Sequence, residues 1–83
     1  MRDSFFKEVG TDFKYEFGPD VSIICDIMKH PKAKAHSVDA ISYEVKLSGA
    51  ELIEFIKKSA PTHAAIIEKI KSDGEYILSG WDW

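Results

Sequence analysis

Apolar and polar residues alternate in several short runs. Phe13, Tyr15 and Phe17 are separated by Lys14 and Glu16, so residues 12–17 read as a half-buried strand. Gly18-Pro19-Asp20 follows. Proline pre-sets φ at the second position of a tight turn and aspartate tolerates the third, which predicts a hairpin. Val21, Ile23, Cys25 and Ile27 then share one face of a second strand over 21–28. Pro31 breaks the pattern, because proline cannot donate to a ladder. From residue 38 to 47 the alternation is clearest. Ile41, Tyr43, Val45 and Leu47 fall on one face, with Ser42, Glu44 and Lys46 on the other.

The period then changes. Ser48-Gly49-Ala50-Glu51 is a capping box, in which serine and glutamate satisfy each other's free backbone N–H groups. The spacing of Leu52, Phe55 and Ile56 predicts a helix to about Lys58, with Lys57 and Lys58 at the negative end of its dipole. Pro61 suits the first turn of a second helix carrying Ile66, Ile67 and Ile70 to about Ser72. Asp73-Gly74 ends it, with glycine expected in the left-handed conformation. Residues 75–79 read as a last short strand. Residues 3–9 are ambiguous. Asp3 or Ser4 could cap a short helix that Gly10 ends, and an extended arm is nearly as good a reading.

Strands followed by helices define an α+β layer fold. The expectation is an antiparallel three- to four-stranded sheet with two C-terminal helices packed on one face, and a short N-terminal helix if residues 3–9 coil. With 83 residues the chain fits a single small domain. The order helix, three strands, helix resembles the double-stranded RNA-binding domain, and Gly18-Pro19 falls where that family has a Gly-Pro turn. The lysine-rich start of that family's last helix is replaced here by Ser48-Gly49-Ala50-Glu51-Leu52, so no residue role carries over.

Charge and composition narrow the functional classes. Net charge is −3, which disfavours non-specific nucleic-acid binding. The lone cysteine, Cys25, can form neither an internal disulfide nor a paired-cysteine zinc site. No apolar run approaches a membrane span and no secretory leader is visible, so a cytoplasmic location without membrane partners is expected.

Candidate chemistry is sparse. Lys29, His30, Lys32, Lys34 and His36 form a basic loop that could contact phosphate or nucleic acid, or simply be a solvated tip. Asp26 with His30 and His36 are metal-ligand types in no named motif. Cys25 reads as an inert thiol, and His63 as a boundary histidine rather than a general base. Trp81 and Trp83 near the C-terminus are candidate partner anchors, since tryptophan dominates interface hot spots, although Trp81 also suits packing over a sheet edge or the helix pair. No catalytic motif and no cofactor site is evident. The leading expectation is a non-enzymatic protein-interaction module, with homodimerisation as one form. Nucleic-acid or phosphate binding through residues 29–36 comes second, and a small histidine enzyme third.

Overall fold

A computed structural model describes residues 2–37 and 41–82. The elements in order are β1 (Arg2–Glu8), β2 (Lys14–Glu16), α1 (Val21–Lys29), β3 (Lys34–Ser37), β4 (Ile41–Ser48), α2 (Gly49–Ser59), the 3₁₀ helix α3 (Pro61–Lys69) and β5 (Glu75–Asp82). The α+β class stands. The sheet has five strands in the order β2-β1-β5-β4-β3, and every neighbouring pair is antiparallel. The order of elements differs from that of the double-stranded RNA-binding domain.

The ambiguous N-terminal segment is extended. Residues 2–8 pair with β2 on one side and with β5 on the other, and Phe6 is fully buried between them. Satisfying two ladders outweighs what an isolated turn of helix offers.

Residues 21–29 are a helix, not the expected second strand, and Gly18-Pro19-Asp20 is not a hairpin turn. Gly18 takes a positive φ of 86°, and the Asp20 carboxylate accepts from the Ser22 and Ile23 N–H groups as an N-cap. Ile23, Ile24 and Ile27 form the buried stripe at helical spacing, whereas Val21 is 43 % exposed. Cys25, expected inside a strand, is a half-buried free thiol on this helix.

The Ser48–Glu51 capping box is present and opens α2, which buries Leu52, Phe55 and Ile56. The next segment is shorter and tighter than the expected α-helix. It kinks at His63 and buries only Ile66 within its span. Gly74 does not adopt the left-handed conformation; among the described residues only Gly10 and Gly18 have positive φ. The last strand runs three residues beyond its expected end at Ser79 and lies at the centre of the sheet.

The helices cover one face. Ser4, Phe6, Val45, Leu47, Tyr76 and Leu78 point under them and are buried, joined by Ile23, Ile27, Leu52 and Ile56. Helix α1 packs across β1, β5 and β4 and approaches the sheet closely at Gly80. A Cβ added at Gly80 would sit 3.0 Å from the Ile27 Cδ1. Side chains alternate along each strand, so the other face carries Phe5, Lys7, Ile77, Ser79, Glu44 and Lys46.

Candidate binding surface

The basic loop does not form one patch. Pro31 turns it between two open grooves of about 500 Å3 each. Lys29 and His30 line the first, between α1 and α2, together with Asp26, Glu51, Glu54 and Lys58. Those carboxylates oppose binding of a second anion. The His30 Nδ1 accepts from the Lys32 N–H at 3.1 Å, so this nitrogen orders the turn. Lys32 and Lys34 line the second groove, beside β3 and β4, with Lys46, Ala33 and Glu44. The Lys32 ammonium also lies 2.6 Å from Glu51. His36 is in β3, and its side chain lies outside the described residues. Lys46 was missed from sequence because it belongs to a strand distant from the loop.

Asp26 and His30 share the first groove, but no group of three or more His, Cys, Asp or Glu residues converges among the described residues. His63 has a defined partner. Its Nδ1 is 2.7 Å from the Tyr15 hydroxyl, and its ring meets those of Tyr15 and Phe17 edge-on. It joins the edge strand β2 to α3 and sits within the aromatic group of Phe6, Phe13 and Phe17.

Trp81 is neither at a sheet edge nor against the helix pair. It stands on the central strand β5, on the open face, 5.5 Å from Phe5 at an interplanar angle of 72°. Such an edge-to-face pair adds about 0.5–1.5 kcal/mol beyond area burial. The Lys14 Nζ rests 4.2 Å from the Phe5 ring centroid and 3.3 Å from Glu16. Trp83 lies outside the described residues.

The ladder register arranges the open face in rows that run across the strands. One row reads Lys14, Lys7, Ile77, Lys46. The next reads Glu16, Phe5, Ser79, Glu44, Lys34. The third begins Asp3, Trp81, Ser42. Cations and carboxylates therefore lie in adjacent stripes around an aromatic pair. The individual lysines and glutamates were visible in the sequence, but the stripes depend on strand order, which was not.

No family model matches the chain, and no curated protein or solved structure is similar enough to serve as a relative. No helix of the described residues is long and apolar enough to cross a membrane.

Proposed function

We propose that this domain is a protein-binding module whose contact surface is the open face of its sheet. One observation carries the reading. Phe5 and Trp81 sit on adjacent central strands, paired edge-to-face and flanked by stripes of both charge signs. Aromatic anchors surrounded by charged residues are the composition of a protein interface. The balance of acids and lysines suits a protein partner better than a polyanion, which needs a surplus of cations.

The edges suit pairing less well than the face. Strand β2 has only three residues, and β3 has four with a register shift between Ala35 and Ser37. Short, irregular, lysine-bearing edges discourage strand addition.

A photo-crosslinking residue at Ser79, on the open face, tests the reading in the source cells. A probe at Glu68, on α3, serves as the control. The expected result is a discrete protein adduct from Ser79 only, lost in Trp81→Ala protein that keeps its circular dichroism. Equal adducts from both probes, or adducts indifferent to Trp81, would refute it.

A second reading rests on Lys32, Lys34 and Lys46, which outnumber the one carboxylate, Glu44, lining the β3–β4 groove, an excess of cations that suits a phosphate group. In that case Lys34→Glu with Lys46→Glu abolishes binding to a single-stranded oligonucleotide, and binding by the parent falls steeply with salt. Undiminished binding by that variant would dismiss it.

A further inference from the structure

The charge rows of the open face match themselves under a two-fold rotation. We infer that the partner of this face is a second copy of the chain, stacked sheet against sheet. The inference rests on the proposed binding role of the face and names its occupant.

Consider two-fold axes lying in the plane of the face. An axis along β5 sets Glu16 over the partner's Lys34 at the sheet edges, but nearer the centre it sets Lys7 over the partner's Lys46, a like-charge contact. An axis across the strands through the lysine row sets lysine over lysine, and one through the next row sets glutamate over glutamate. An axis across the strands but between those two rows does the opposite. It sets Lys14 over the partner's Glu16 and Lys46 over the partner's Glu44. It also sets Lys7 over the partner's Phe5 ring and Ile77 over the partner's Ser79. Each contact occurs twice, as an isologous interface requires.

Twisted sheets stack with their strands rotated by about 30°, so the central contacts keep register better than those at the edges. The contacts nearest the centre are those of Ile77, Ser79, Lys7, Phe5, Lys46 and Glu44, and Trp81 braces the Phe5 ring edge-on beside them. Each of these residues is exposed or half-buried in the single chain. Five strands at about 4.8 Å and roughly five residues at about 3.4 Å give a face on the order of 400 Å2 per copy. That area makes a weak, transient dimer rather than an obligate one. Because its specificity is electrostatic, added salt weakens it.

Sedimentation of the full chain up to about millimolar concentration tests the proposal. The expected result is a monomer–dimer equilibrium that loosens by tenfold or more between about 50 and about 500 mM salt. Two variants add direct evidence: Lys14→Glu with Lys46→Glu, and Glu16→Lys with Glu44→Lys. Each alone should be monomeric, and their mixture should form a heterodimer. Ser79→Arg, which sets a bulky cation over the partner's Ile77, checks the same face with one substitution and should abolish association. A parent that stays monomeric throughout, or a Ser79→Arg protein that dimerises normally, overturns the proposal. If the parent is monomeric yet Ser79 still crosslinks to a different protein, self-association is refuted while the binding role survives.

Discussion

The Lys32 ammonium meets one oxygen of Glu51 at 2.6 Å, while the other oxygen accepts from the Ser48 backbone N–H at 3.2 Å. One carboxylate thus closes the capping box of α2 and anchors the turn after α1. Lys32 first, and then the Ser48 N–H, hold the Glu51 carboxyl below its ordinary value of 4.5. A carboxylate with a depressed folded pKa contributes stability above its unfolded value, and that contribution disappears as pH falls through the folded value. The parent should therefore exceed Glu51→Gln in urea midpoint at neutral pH, with the gap closing below pH 4.5. Glutamine can still complete a capping box, so the gap isolates the charge. A gap that persists unchanged well below that pH would show that the carboxylate charge is not its source.

Asp20 governs the start of α1. Its Oδ1 accepts from Ser22 N–H at 2.9 Å and Ile23 N–H at 3.4 Å. Asp20→Ala should cost about 1 kcal/mol, and Asp20→Asn or Asp20→Ser should recover most of it. Denaturant unfolding of the variants measures this. Equal losses in all of them would mean that the cap does not hold the helix.

That same aspartate explains how the sequence misleads. Read with period two, Val21, Ile23, Cys25 and Ile27 make a strand; read with period 3.6, Ile23, Ile24 and Ile27 make a helix. A short apolar run supports both, and the neighbouring turn signal decides. Gly18-Pro19-Asp20 fits a hairpin and a helix entry alike, and only the burial of the helical stripe, with Ile27 packed against Gly80, separates them. Where one signal was unambiguous, expectation and structure agree, as at Ser48–Glu51 and at Val45 and Leu47. The open face was not legible. Its rows require β5 to insert between β1 and β4, and such long-range pairing leaves no local trace.

Tyr15 and His63 tie the short edge strand to α3 across 48 positions of chain. A side-chain hydrogen bond of this kind contributes about 1 kcal/mol. Tyr15→Phe keeps the ring contacts with Phe6 and Phe17 and should lose about that amount. In a His63→Ala background the same change should cost almost nothing. A double-mutant cycle reads the difference directly. Equal costs in both backgrounds would assign the effect of Tyr15 to something other than His63.

Gly49 and Gly10 are both glycines for physical reasons, but the reasons differ. Gly49 opens α2 where the helix touches the turn at residues 71–74. Its N–H donates to the Gly74 carbonyl at 2.9 Å, and the Ala50 N–H donates to the Ser72 carbonyl at 3.3 Å. A Cβ at Gly49 would collide with the Lys71 carbonyl oxygen. Backbone cannot swing aside as a side-chain tip can, so both hydrogen bonds would have to yield. Gly10 has open space around it and only the strain of a φ of 83°. Gly10→Ala should therefore cost about 1 kcal/mol, the usual penalty of a left-handed residue. Gly49→Ala should cost about 2–3 kcal/mol, as overpacking adds to lost hydrogen bonds. The loss should also be local in origin. Hydrogen exchange at the Ala50 amide should accelerate more in Gly49→Ala than in Gly10→Ala when the two proteins are compared at matched global stability. If the two substitutions prove equally costly, the packing of α2 against that turn is not as close as these contacts require.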